Sequence, residues 1–131
     1  MSKPVILCVD DESMVLESLE IELKRTFGKQ YLYEFAESAE EALELIDDFE
    51  NDDSSILVLI SDWLMPGLKG DEFLIKVHEK FPKIIKVMLT GQADNAAIQR
   101  AIDHAGLYRC LYKPWRKEDL IDVVNAGLMA K

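Results

Sequence analysis

Acidic side chains stand where two short apolar runs end, and a hydroxyl and a lysine stand at two further such ends. Asp10, Asp11 and Glu12 follow Val5 to Val9, Asp62 follows Ile56 to Ile60, Thr90 follows Ile84 to Leu89, and Lys113-Pro114 follows Leu107 to Tyr112. A lone aspartate at such a place is often only a turn former or a helix cap. Four ends with complementary groups suit one reaction, phosphoryl transfer to a carboxylate. An Asp can attack phosphorus as a nucleophile and form an aspartyl phosphate. The charge spread over the equatorial oxygens must then be met by a metal ion and a fixed cation. Magnesium keeps several waters and takes one or two carboxylates, here Asp11 and Asp62. Lys113 supplies the point charge, and Thr90 a hydroxyl donor to a phosphate oxygen.

The elements that must position these groups can be read from hydrophobic periodicity. Val5 to Val9, Ile56 to Ile60 and Ile84 to Leu89 are nearly continuous apolar runs, broken only by Lys86. Strands buried on both faces read this way, as in parallel sheets covered by helices. Tyr31 to Phe35 and Leu107 to Tyr112 are mixed, so they read as the outer strands. Five helical patterns alternate with the strands. Ser13 is the expected cap of a helix carrying Leu16, Leu19, Leu23 and Phe27, with Gly28 as its stop. Ser38 and Glu41 make a capping box ahead of Ala42, Leu45, Ile46 and Phe49. Phe73, Leu74, Val77 and Phe81 form a third stripe, ended by Pro82. Asp94 is the expected cap of a fourth helix, with Ala97, Ile98, Ala101 and Ile102 inward and Gly106 as terminator. Leu120, Ile121, Val124 and Leu128 form the fifth. Alternating βα units of this kind build an open, doubly wound α/β sheet, whose ligand site lies at the carboxyl ends of the strands.

Composition narrows the function further. The chain of 131 residues fits one domain, 1–131, and its 49% hydrophobic and 31% charged residues are globular in balance. No run approaches the roughly 18 apolar residues of a membrane span, so no membrane partner is expected. Met1-Ser2-Lys3-Pro4 leads straight into a strand without a secretory segment, which makes the cytoplasm the expected location. The 25 acidic against 15 basic residues give a formal charge of −10, which repels nucleic acid. Cys8 and Cys110 sit inside apolar runs and read as reduced core residues, with no zinc spacing. His78 and His104 fall on helices away from the acidic rim and read as structural or surface residues. The acidic stretch Glu37 to Glu50 reads as a solvated helix face.

Over roughly Val5 to Leu128 the chain resembles the receiver domains of two-component response regulators. The resemblance is carried by Val9-Asp10-Asp11-Glu12, Ser61-Asp62-Trp63-Leu64-Met65-Pro66-Gly67 with Gly70, Leu89-Thr90-Gly91, and Tyr112-Lys113-Pro114-Trp115. It implies a (βα)5 fold, flavodoxin-like, with five parallel strands in the order 2-1-3-4-5. It also implies that Asp62 is the phosphoacceptor and Asp11 a direct Mg²⁺ ligand. Asp10 acts through metal-bound water, and the Leu64 carbonyl completes the protein ligands. Thr90 and Lys113 match the family's switch hydroxyl and lysine, and the Lys113-Pro114 bond is expected to be cis. The implied partners are a sensor histidine kinase or phosphotransfer protein, a downstream effector domain or protein, and a phosphorylation-dependent second copy. The domain is then a switch rather than an enzyme, with no effector domain in this chain. Lys113-Pro114-Trp115 and Ala93-Asp94 resemble receivers joined to cyclic-dinucleotide phosphodiesterase domains.

One position departs from the pattern. Three residues before the lysine the family usually has Tyr or Phe; here it is Cys110, flanked on the same strand face by Tyr108 and Tyr112. One of those rings is expected to fill the space and take over the reporting role. A disulfide to Cys8 is not expected, because three strand spacings separate the two, about 14 Å. Competing functions fit less well. An aspartyl-phosphate phosphatase needs a second Asp two residues past the first, where Leu64 stands. A dinucleotide-binding domain needs a GxGxxG after the first strand, where Asp10 and Asp11 would repel pyrophosphate. The alternative that keeps every residue is a receiver-like interaction module that is never phosphorylated.

Overall fold

Five strands are dictated by the apolar runs, and all five form. The computed structural model describes residues 4–51, 56–91 and 95–129, without the side chains of residues 50 and 51. The order is β1 (Val5–Val9), α1 (Ser13–Phe27), β2 (Leu32–Ala36), α2 (Ala39–Asn51), β3 (Ile56–Asp62), α3 (Gly70–Lys80), β4 (Ile85–Thr90), α4 (Asn95–Ala105), β5 (Arg109–Tyr112) and α5 (Lys117–Met129). The strands are parallel in the order β2-β1-β3-β4-β5, so the continuous apolar runs are central and the mixed ones lie at the edges. No helix among the described residues is long and apolar enough to cross a membrane.

Alternation along the central strands sends side chains to two cores. Val5, Leu7, Val9, Leu59 and Met88 pack beneath α2, α3 and α4, whereas Ile6, Cys8, Val58, Ile60, Val87 and Leu89 pack beneath α1 and α5. Both faces of the sheet are therefore dry, which is why β1, β3 and β4 carry little but apolar residues. Cys8 and Cys110 belong to opposite faces, both as free thiols, and burial pushes both above the ordinary thiol value.

Several ends differ from the sequence expectation. Ser13 is the first residue of α1, and the cap position is Glu12, whose backbone N–H donates to Asp10 Oδ1 at 2.8 Å. The Asp10 carboxylate thus turns the chain one residue earlier than Ser13 would. The capping box at Ser38 forms in part: Glu41 N–H donates to Ser38 Oγ at 3.1 Å, while Glu41 reaches back to Glu37 N–H at 3.2 Å rather than to that of Ser38. The inward stripe of α4 is Ala97, Ala101 and Ala105, and Ile102 is 47% exposed. Steps of four keep the alanines on one line, and their small size lets α4 lie close to α3. The fifth strand starts at Arg109, because Leu107 N–H is drawn back to Ala101 O at 3.1 Å. The expected cap Asp94 lies outside the described residues. Gly28 stops α1 at φ +67°, where its N–H donates to Lys24 O.

Gly70 is required by a close approach. A β-carbon there would lie 2.6 Å from Trp63 Cα and closer still to the Asp62 carbonyl oxygen, so α3 begins pressed against the backbone of Asp62. Backbone cannot yield as a flexible side chain can. Gly70→Ala is therefore expected to lower unfolding stability by about 1–3 kcal/mol, the usual range for overpacking. Urea denaturation checks this, with Gly28→Ala, which has open space but positive φ, as the comparison.

Candidate functional site

Parallel strands that all point one way bring their carboxyl ends to one rim, and the residues singled out in the sequence meet there. Asp10 extends β1 and is fully buried, its backbone N–H held by Ala36 O at 3.1 Å. Asp62 ends β3 and is 4% exposed, while Thr90 ends β4 and is buried. Lys113 follows β5, its backbone N–H donating to Thr90 O at 2.8 Å, and the Lys113-Pro114 bond is cis. The Lys113 ammonium lies 2.8 Å from Asp10 Oδ2, 3.0 Å from Asp62 Oδ1 and 3.9 Å from Glu12 Oε1. Asp11 is exposed, yet Asp10, Asp11 and Asp62 each offer a carboxylate oxygen within 4.8 Å of one another. Leu64 follows Asp62 by two residues, and its side chain is 50% exposed.

The electrostatics follow from one cation facing several anions. Burial pushes Asp62 up to about 6; the hydrogen bond from Lys113 opposes this, and the Asp10 and Asp11 carboxylates add to the rise. Burial also presses on the Lys113 ammonium, but its hydrogen bonds to Asp10 and Asp62 outweigh that and leave it above the ordinary lysine value. The lysine is thus firmly charged, and the rim holds more negative charge than the lysine neutralises. A divalent cation fits such a rim, since hard cations take oxygen ligands of this kind.

Trp63 and Trp115 flank the site, each with a polar partner. Trp63 Nε1 donates to Asp71 Oδ1 at 3.0 Å, with the Lys69 ammonium 5.2 Å from its ring centre. Trp115 Nε1 donates to Glu22 Oε2 at 3.3 Å and borders a surface groove of about 540 Å³ beside Lys113 and Met14. Asp71 went unread in the sequence, because an acid in the first turn of α3 looks like a dipole partner. Its burial at 1% exposure is the signal that only the fold supplies.

His78 stands apart, near the start of β4, where Lys86 Nζ lies 3.1 Å from its Nδ1 and donates to Ile84 O at 2.7 Å. Burial and then the Lys86 charge hold His78 below the ordinary histidine value. Tyr112, across from Thr90 in the β4–β5 register, is 59% exposed. Its hydroxyl meets the half-buried Cys110 thiol and partly offsets the effect of burial there. Tyr108 is half-buried with the Arg109 guanidinium 4.6 Å over its ring. Neither ring fills a buried aromatic position beside Thr90. Instead Cys110 packs, partly buried, against the core beneath α2 to α4.

The fold and this rim define a class of signalling domain. The family model of the response regulator receiver domain matches residues 6–125, and the chain belongs to that family. It is 32% identical over 126 residues to the hydrogenase transcriptional regulatory protein HoxA of Cupriavidus necator, covering 96% of this chain and 24% of that protein. The chain spans about a quarter of the length of the two HoxA relatives it matches. It is 33% identical over 128 residues to the chemotaxis protein CheY homolog of Campylobacter jejuni, covering 93% of each. The signal receiver domain of an HD domain-containing protein from Pseudomonas fluorescens Pf-5 is similar in structure, with a TM-score of 0.88 at 29% identity over 98% of this chain and 97% of that one.

The raised Asp62 value makes a stability prediction for magnesium-free buffer. The folded protein holds the Asp62 proton more firmly than the unfolded chain, so this group favours folding below pH about 4. That contribution is lost as pH rises through about 6. Asp62→Asn is therefore expected to unfold at higher denaturant than wild type at pH 7, with the difference shrinking toward pH 4. Urea midpoints across that range check the sign; a constant difference at all pH values contradicts it.

Proposed function

We propose that the chain is a phosphorylation switch in which Asp62 accepts a phosphoryl group in a magnesium-dependent reaction. The observation that carries this reading is the Lys113 ammonium 3.0 Å from Asp62 Oδ1, on a rim where Asp10, Asp11 and Asp62 converge. An Asp62 carboxylate oxygen attacks phosphorus, the new O–P bond forms, and the bond to the donor breaks with its electrons leaving on the donor. Asp11 and Asp62 would hold Mg²⁺ directly, Asp10 through water, and Leu64 by its carbonyl. The ion supplies positive charge to the equatorial oxygens. Lys113 would neutralise a second oxygen, and the Thr90 hydroxyl would donate to a third.

The donor is a sensor histidine kinase or phosphotransfer protein in the cytoplasm. The output is a change in affinity for an effector domain or partner, including a second copy. The HD domain-containing neighbour and the resemblance of Lys113-Pro114-Trp115 both favour an effector joined in one protein. Catalysis is confined to the domain's own phosphorylation and dephosphorylation.

With Mg²⁺ and acetyl phosphate, intact-mass spectrometry is expected to show one added phosphoryl group on wild type and none on Asp62→Asn. Equal labelling of both sinks the assignment, and an unlabelled wild type favours the interaction module that takes no phosphate. Magnesium alone should change Trp63 fluorescence, and Asp11→Ala should remove most of that change. The aspartyl phosphate should decay slowly, because Leu64 can border the path of attacking water but cannot orient it. Gln92, the other residue expected on that path, lies outside the described residues. Leu64→Asn is expected to speed decay by about fivefold, what one hydrogen bond of about 1 kcal/mol gives. The same decay time in both proteins refutes the water-path argument.

A further inference from the structure

We infer that helix α4 is coupled to the phosphoacceptor through a Trp63–Asp71–Arg100 bridge, so that displacing α4 alters the chemistry at Asp62 and the reverse. The inference deepens the phosphoacceptor reading and rests on it. Trp63 directly follows Asp62, and its backbone is fixed on both sides. Its N–H donates to Leu89 O at 2.9 Å, and its carbonyl accepts from Gly70 N–H at 2.7 Å. Its side chain has one polar atom, Nε1, which is spent on Asp71 Oδ1 at 3.0 Å. The other oxygen, Asp71 Oδ2, accepts from Arg100 Nε at 3.0 Å and Nη2 at 2.9 Å, across from α4.

The two ends of this bridge differ in their freedom. The Asp71 side chain is 1% exposed and is fixed in the first turn of α3, against the acceptor backbone. The Arg100 side chain is 55% exposed and can pass into water if α4 shifts. The carboxylate cannot follow it. A buried charge left without its cation is strongly unfavourable, so Asp71 favours arrangements that keep Arg100 near, and the Trp63 indole must adjust when it leaves. The rest of the α3–α4 seam adds few interlocking groups, because the inward face of α4 is Ala97, Ala101 and Ala105. Asp71 is accordingly a positioning residue for the segment that follows Asp62, and Arg100 is the part of the bridge that α4 carries. Linkage makes the coupling reciprocal: a partner that binds one arrangement of α4 changes the affinity of the site by the same factor as the site changes that of the partner.

The test uses the full chain in a Trp115→Phe background, which leaves Trp63 as the one tryptophan of the original two. Arg100→Gln removes the charge and keeps the length, and Arg100→Lys restores the charge. Trp63 emission and amide exchange are measured with and without Mg²⁺ and beryllofluoride, a phosphoryl mimic. Arg100→Gln is expected to shift Trp63 emission in the unliganded domain. It should leave the mimic's protection near Asp62 intact and reduce the response of α4 amides at least about fivefold. Arg100→Lys should recover part of both effects. Trp63→Phe, which breaks the bridge from the other side, should reduce the α4 response equally by amide exchange. An α4 response unchanged in Arg100→Gln and Trp63→Phe overturns the coupling, as does a wild type that responds near Asp62 but not in α4. A wild type with no response near Asp62 overturns the phosphoacceptor reading, and the coupling with it.

Discussion

The Lys113 ammonium reaches across 103 positions of sequence to Asp10 and also holds Asp62, so one cation ties the carboxyl ends of β1, β3 and β5 together. Much of the architecture is a condition for that contact. Asp10 is fully buried, and a buried carboxylate needs a charged partner and further hydrogen bonds, which Lys113 and Glu12 N–H provide. Two dry faces on the sheet keep the three central strands in register. Gly70 lets α3 close against Asp62. The rim that results is short of positive charge, and Asp10, Asp11 and Asp62 are close enough together there to suit a divalent cation.

The charge shortage also explains why stability and function pull against each other here. Ionising Asp62 at neutral pH opposes folding in the absence of a metal, yet the ionised form is the one that the proposed phosphoryl transfer needs as its nucleophile. The proposed function is thus favoured by an arrangement that a more stable protein would avoid, a common trade at working sites. The Trp63–Asp71–Arg100 bridge extends the same logic outward. A second buried carboxylate, again matched by a cation from a separate element, carries the state of the acceptor segment to a helix at the surface.

The strands and their order were legible because burial on two faces leaves an unmistakable signature in Val5 to Val9 and Ile56 to Ile60. Asp10, Asp11, Asp62, Thr90 and Lys113 were legible because strand ends in parallel sheets face one rim. Helix ends were read less well, since they depend on competing local hydrogen bonds: Asp10 displaces Ser13 as the group that turns the chain into α1. The α4 face was misread at Ile102 because periodicity marks apolar residues, whereas the close α3–α4 seam selects alanines. Asp71 and Arg100 were invisible, being 29 residues apart and each an ordinary surface residue type until packing joins them. Cys110 was legible as a departure, but not its outcome, a thiol seated on the core with Tyr112 lying outside.

The most direct test of this account is a carbon-13 NMR titration of the Asp62 side-chain carboxyl, with and without saturating Mg²⁺. Without the ion the account predicts titration near pH 6, the value that burial and the neighbouring carboxylates impose. With the ion it predicts a fall of more than one unit, because a divalent cation at the rim favours the ionised form. The same titration midpoint in both solutions would contradict the claim that Asp62 is held in a charge-deficient site completed by a metal.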